Sequence, residues 1–245
     1  MVVFGGRIPS TQVSDLWTLS LSGTPTWARL IPSETGPSAR EGHTAVYDSA
    51  NQRMIIFGGR YIDDLYNDVW ALSLGTTPAW TQLAPGSGPS VRWGHSLLYD
   101  AADGRMIVFG GSTEHWSSAF SLDEVWTLSL ADPPAWAQLP HESTWPSARM
   151  GHSAIYDADQ QRMVVFGGAY AGESFRNDVW ALGLARMPPP TISGRVTVLD
   201  MSTPAAKTEP LRDMRIELFR DGIRVQDPKT TSGGDGSDAG TYSFG

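Results

Sequence analysis

Two residue types that could do chemistry recur together along this chain of 245 residues. His43, His95 and His152 each follow a Gly, and Arg40, Arg92 and Arg149 each close a Pro-Ser-x-Arg segment three residues earlier. Imidazoles converging from equivalent places could hold a metal ion. Arginines converging in the same way could grip carboxylates or sugar hydroxyls through their planar fork of donors. Repetition argues against the metal, because a residue present in every unit is usually needed by the unit itself. The histidines are therefore expected to be structural, packing their rings or bonding to backbone, with no metal and no cofactor. Arg40, Arg92 and Arg149 stand as candidate ligand-binding residues; the rival is that each pairs with a neighbouring Asp or caps loop carbonyls.

The residue after each Arg varies, as Glu41, Trp93 and Met150. Variation at one position of a repeat is where specificity can be written, so Glu41 and Trp93 join the candidates. The segments after Gly58-Gly59, Gly110-Gly111 and Gly167-Gly168 vary as well, and they carry Tyr61, Tyr66, Trp116, Phe120, Tyr170 and Phe175. Aromatic and Arg side chains are favoured at binding hot spots. The competing expectation is that these rings clamp their own loops.

The elements that must position these groups follow from a repeat, which is sought before anything else. Met54-Ile-Ile-Phe-Gly-Gly59 recurs from Met106 and Met163, and as Met1-Val-Val-Phe-Gly-Gly6, in steps of 53, 52 and 57 residues. Trp17, Trp70, Trp126 and Trp180 share that period, and Trp27, Trp80 and Trp136 follow them. Each unit reads as four short strands, such as 42–48, 53–57, 68–74 and 79–83, punctuated by Gly and Pro. The second strand is a continuous apolar run, as expected where both faces are covered. The paired Gly break it with backbone angles that other residues resist. Four strands per unit at this period predict the blades of a propeller, and the repeated Trp are predicted to fill the space between stacked sheets.

The joint pattern of Arg-x-Gly-His, Tyr-Asp, Met-x-x-Phe-Gly-Gly, Asn-Asp-Val-Trp and a later Trp resembles the kelch repeat, over residues 1–186. The resemblance implies an all-β fold and puts the loops after each Gly-Gly on one face with the blade-to-blade loops, so that the aromatics would crowd around the arginines. Met1 aligns with the start of a second strand, and the unit from Gly151 ends after three. The expectation is a partial propeller of about three and a half four-stranded blades, with further blades of the same protein upstream. Kelch-like enzymes set two alternatives. The copper centre of galactose oxidase-like proteins needs a Cys, and the chain has none. A sialic-acid mutarotase-like activity would use charged residues at the propeller mouth, where Arg40, Glu41, Arg92 and Arg149 can be made to fit without a distinctive motif.

Residues 187–190, with Pro188-Pro-Pro190, read as a stiff linker. Beyond them the repeat stops, and residues 191–245 resemble the start of a small β-sandwich of the carboxypeptidase-regulatory-like or collagen-adhesin B type. Such modules imply a secreted or surface bacterial protein, hence an extracellular address. Asp235 and Asp238 lie in a Gly-rich loop but lack the ligand count of a calcium site.

A net charge of −8, from 18 basic and 26 acidic residues, disfavours non-specific binding to nucleic acid or anionic membrane. No apolar run approaches the roughly 18 residues of a membrane span. The expected function is a non-catalytic module that recognises a protein or glycan ligand on its loop face. The alternatives are the sugar-active enzyme and an intracellular protein-interaction adaptor.

Overall fold

A computed structural model describes residues 1–83, 86–114, 120–141, 145–170 and 174–184, together with the backbone of residues 192–198, 214–220, 223–224 and 229–230. The chain divides into two compact units, Met1–Arg186 and Met187–Gly245.

Among the described residues the first unit contains four successive antiparallel blade sheets and two small two-stranded hairpins. Blade 1 is β1 (Val2–Ile8), β2 (Thr11–Leu19) and β3 (Trp27–Arg29). Blade 2 begins with β4 (Thr44–Asp48) and β5 (Arg53–Phe57). A small hairpin follows, β6 (Arg60–Tyr61) with β7 (Asp64–Leu65), and the blade closes with β8 (Val69–Ser73) and β9 (Trp80–Leu83). Blade 3 is β10 (Ser96–Asp100), β11 (Arg105–Phe109), β12 (Val125–Ser129) and β13 (Ala135–Gln138). Blade 4 has β14 (Ser153–Asp157) and β15 (Arg162–Phe166), a hairpin of β16 (Ala169–Tyr170) with β17 (Ser174–Phe175), then β18 (Val179–Gly183). The sheets hold three, four, four and three strands, the all-β partial propeller that the repeat predicts.

The apolar runs of the second strands sit between two neighbours. Met54 and Ile56 of β5 pack towards blade 1 with Phe4 and Leu16. Ile55 and Phe57, on the opposite face, pack towards blade 3 with Leu97, Met106 and Val108. Ile107 and Phe109 of β11 repeat this against Met163 and Val165 of blade 4. Side chains alternate across a strand, so each middle strand serves two cores and has no polar face. The far side of blade 4 lacks a neighbour among the described residues: Phe166 is 54% exposed, whereas its counterparts Phe57 and Phe109 are fully buried.

The first strands begin two residues later than the sequence pattern suggests. Gly42, Gly94 and Gly151 all have positive φ (63°, 65° and 62°), so the chain turns there before it pairs. The turn produces a row of backbone bonds along the inner rim, Gly94 N–H to Gly42 O (3.0 Å) and Gly151 N–H to Gly94 O (2.8 Å).

In the second unit, β19 (Ile192–Val198), β20 (Met214–Arg220), β21 (Ile223–Arg224) and β22 (Lys229–Thr230) form one antiparallel sheet. β20 is central, paired with β19 along its whole length and with β21 and β22 on the other side. Asp235 and Asp238 lie outside the described residues.

Candidate functional site

The arginines come first, and here the structure corrects the sequence reading. Arg40, Arg92 and Arg149 are at most 1% exposed, so no ligand can reach them. Each donates through Nη1 to the carbonyl of the first Gly of its own blade: Gly58 at 3.0 Å, Gly110 at 3.1 Å and Gly167 at 2.8 Å. Arg40 forks onto both oxygens of Asp68 (2.6 and 3.0 Å), and Arg149 onto both oxygens of Asp178 (2.8 and 3.0 Å). Arg92 meets one oxygen of Glu124 at 2.9 Å. Each carboxylate also accepts the indole N–H of the Trp two residues on, Trp70, Trp126 or Trp180, at 2.7–2.8 Å. The backbone carbonyl of each Arg meanwhile accepts the second Gly N–H of the preceding blade, as in Gly59 N–H to Arg92 O at 2.9 Å. These residues therefore hold adjacent blades together. Their partners were readable as the acid two positions before each third-strand Trp.

The ion pair lowers the pKa of two of these acids, Asp178 and Glu124. The hydrogen bond from Arg149, with help from Trp180, holds Asp178 well below the usual carboxylate range. Burial works against ionisation of Glu124, but the bonds from Arg92 and Trp126 outweigh it and lower its pKa.

The histidines are inter-blade parts as well. His43, His95 and His152 meet Phe4, Phe57 and Phe109 of the preceding blade edge-on, at 5.1–5.4 Å between ring centres. His95 Nε2 lies 2.6 Å from Thr44 Oγ1, and His152 Nε2 lies 2.9 Å from Ser96 Oγ, each hydroxyl belonging to the preceding blade. Nδ1 of all three is buried without a partner of good hydrogen-bond geometry. Among the described residues no group of three or more His, Cys, Asp or Glu is arranged to hold a metal.

Burial, then the nearby Arg149, lowers the His152 pKa to about 4, and burial with Arg92 lowers His95 well below its ordinary value. A His whose folded pKa is depressed leaves stability intact above its unfolded value of about 6.5 and erodes it as the pH falls towards the folded value. Stability should therefore decline between about pH 6.5 and about pH 4, before acids such as Asp178 begin to matter. Urea unfolding at about pH 7 and about pH 5 measures this. A His95→Gln/His152→Gln variant should show a smaller drop; an equal drop would mean that other groups set it.

A half-buried rim is built from the variable positions. Glu41 is bridged through backbone to Arg60, Trp93 to Ser112, and Met150 to Ala169. The blade-to-blade loops and the loops after Gly-Gly thus share one face. Glu41 accepts Arg60 Nη2 at 3.2 Å and Gln12 Nε2 at 3.1 Å, with Arg7 Nη1 at 3.6 Å. The Arg60 guanidinium lies 3.9 Å from the centre of the Trp93 ring, whose indole N–H donates to Glu114 O at 2.7 Å. A charged and aromatic strip, Arg7–Glu41–Arg60–Trp93, therefore runs across the first two blade junctions. Arg7, Gln12 and Arg60 were not candidates from sequence. The signal that could have found Arg60 is its place directly after the paired Gly.

The aromatic candidates divide. Tyr66 stacks on Arg40 at 4.1 Å and so clamps its own loop. Tyr61 is half-buried on the β6–β7 hairpin. Phe120 and Phe175 are exposed, and Tyr170 is partly exposed beside Arg176. Trp116 lies outside the described residues. The third- and fourth-strand Trp are packing groups at the two complete blades, where Trp70 meets Trp80 and Trp126 meets Trp136 nearly at right angles. A further Trp went unnoticed in the repeat. Trp145 stands where the earlier units have Gly36 and Gly88, and it is buried against Phe109, Met163 and Leu184.

A family model described as the KLHDC2/KLHL20/DRC7 Kelch-repeats domain matches residues 1–134. The chain belongs to the kelch-repeat family. The kelch blades are also similar to putative adagio-like protein 2 of Oryza sativa subsp. japonica, 32% identical over 77% of this chain and 30% of that protein. Human multiple epidermal growth factor-like domains protein 8 is 32% identical over 69% of this chain and 6% of its own length. The chain thus spans under a third of the curated relatives it matches. A solved structure, described as the structure of YjhT, superposes with a TM-score of 0.54 at 16% identity, covering 69% of this chain and 56% of its own. That likeness shows the kelch propeller fold. The comparisons lend no support to the β-sandwich resemblance of residues 191–245, and these plant and human relatives lend none to a bacterial source.

Proposed function

We propose that the chain is a protein-recognition module whose contact surface is the rim of variable positions, centred on Arg7, Glu41, Arg60 and Trp93. One observation carries this reading: the repeat-wide Arg are buried and the repeat-wide His are packed between blades, while the positions that change from blade to blade are bridged together on one face. The invariant residues build the frame and the variable ones are free to discriminate. Arg and Trp side by side offer cationic and aromatic contacts to one ligand, the combination favoured at interface hot spots. The relatives' identity supports an interaction module no further than the family itself; a secreted address rests on the domain resemblance alone.

A peptide and glycan array probed with the wild type and with Glu41→Ala/Trp93→Ala/Met150→Ala tests the site. Loss of at least about tenfold in affinity for the captured ligand class is expected, since hot-spot residues carry most of the binding energy. An unchanged melting temperature must accompany that loss. Undiminished capture by the triple variant would remove the rim from consideration.

A further inference from the structure

Blades 2 and 3 have a neighbour on each side, and the exposed large apolar side chains of their described residues are Tyr47, Ile62 and Phe120. Tyr47 lies on the first strand of blade 2. Ile62 and Phe120 both belong to the segments after Gly-Gly. Those segments share the face on which Glu41 bridges Arg60 and Trp93 bridges Ser112, and Ser112 bridges Ser121 beside Phe120.

Ile62 stands out a second time through its backbone. Tyr61 pairs with Asp64, so Ile62 and Asp63 form a two-residue hairpin turn. The φ of Ile62 is 48°, in the left-handed region. Gly, Asn or Asp is the usual occupant of such a turn position, and a β-branched side chain is the poorest fit there. The other described non-Gly residues with positive φ, Gln52 and Gln161, are unbranched. Ile62 is 58% exposed and joins none of the three apolar clusters that hold the blades together. Its side chain therefore costs the fold twice, in backbone strain and in exposed apolar surface, without a core contact in return. Strain kept at one surface position points to a task for that position.

The base beneath the tip is fixed. Tyr66 N–H donates to Gly59 O at 2.9 Å and Arg92 N–H donates to Tyr66 O at 3.0 Å, while the Arg40 guanidinium stacks on the Tyr66 ring. An apolar tip on a fixed base is preorganised, so little freedom is lost when it is covered. Its charge is also defined. Asp63 and Asp64 beside Ile62 are exposed, whereas Arg60 at the start of the hairpin is paired with Glu41.

We propose that Ile62, together with Phe120, is an apolar anchor of the rim, and that its partner is a protein segment in which large apolar side chains alternate with Lys or Arg. The apolar groups of that segment cover Ile62 and Phe120, and its cations meet Asp63 and Asp64. An aliphatic side chain offers a sugar neither a ring to stack on nor a hydrogen-bonding group, so Ile62 selects a polypeptide over a glycan. This inference rests on the reading of this face as a protein-recognition surface and names the chemistry of the partner.

Fluorescein-labelled synthetic peptides of Leu and Phe interleaved with Lys are titrated into the whole protein and followed by anisotropy. Matched peptides carry Glu for each Lys, or Ser for each Leu and Phe. Saturable binding of the apolar and basic peptides alone is expected. Ile62→Asn should weaken it about tenfold or more, as loss of a hot-spot residue does. The same change should raise the melting temperature by about 2–4 °C, because Asn accepts the left-handed angle. Asp63→Asn/Asp64→Asn should weaken binding and flatten its dependence on salt. No saturable binding, equal binding of the Ser peptides, or undiminished affinity in Ile62→Asn would overturn the proposal. A lower melting temperature in Ile62→Asn would do the same, by giving Ile62 to the fold. Loss of binding in Glu41→Ala/Trp93→Ala/Met150→Ala but not in Ile62→Asn overturns the anchor and leaves the strip; the reverse pattern overturns the strip and leaves the anchor.

Discussion

Replacing Arg92 with Ala is expected to lower folding stability by about 3 kcal/mol, the lower end of the cost of breaking a buried ion pair, because the Glu124 side chain is 31% exposed and can be rehydrated. Arg92 is fully buried and bonds Ser90 O, Ser90 Oγ, Gly110 O and Glu124. The change strands the Gly110 carbonyl and leaves Glu124 with Trp126 as its remaining hydrogen-bond donor. It also loosens the geometry by which Arg92 O accepts from Gly59, so blade 2 loses a bond to blade 3. Arg92→Lys keeps the charge but cannot reproduce the planar fork, and an intermediate loss is expected. Denaturant unfolding provides the measurement, with the rim change Glu114→Ala as a control that should stay within about 0.5 kcal/mol. An unchanged midpoint in Arg92→Ala would return the Arg to the ligand-facing role that its spacing first suggested.

The second expected result concerns a Gly–Trp exchange between blades. Gly36 and Gly88 lie against Trp80 and Trp136: a Cβ built on either would come within 2.4 Å of the indole. Trp145 holds the same linker position before blade 4, and Pro190 stands in the sequence where Trp80 and Trp136 would align. One indole fills each junction, delivered from the fourth strand twice and from the linker once. Gly88→Trp should therefore prevent native packing, costing more than the about 1–3 kcal/mol of modest overpacking. Adding Trp136→Gly should restore most of that loss by copying the Trp145 arrangement. Trp145→Gly, which empties its junction, should cost about 3–5 kcal/mol. Near-ultraviolet circular dichroism and guanidinium unfolding of the three proteins check this. A double variant no better folded than Gly88→Trp would show that the two deliveries are not interchangeable.

Much of the frame was legible in the residues. The Phe-Gly-Gly period located every second strand, and the unbroken apolar runs of β5 and β11 announced burial on both faces. The last unit's three strands and the first unit's three follow from where the pattern starts and stops. The site was less legible. Spacing placed Arg40, Arg92 and Arg149 at the rim, but spacing carries no depth. Whether an Arg faces solvent or a carboxylate depends on which blade overlaps which, and the acid two residues before each Trp was the clue left unused. The same limit hid Trp145, whose meaning appears only when the linker of one blade is set against the fourth strand of the next.

The amino-acid sequence by itself determined the all-β repeat, the strand order within each blade and the positions free to vary, because these follow from the period of apolar side chains and the turns that Gly and Pro impose. The tertiary structure alone decided which of those residues are accessible. Stacking one sheet on another buried the repeated Arg beneath the next blade, where desolvation makes a partner obligatory. It left Arg7, Glu41, Arg60 and Trp93 at the rim.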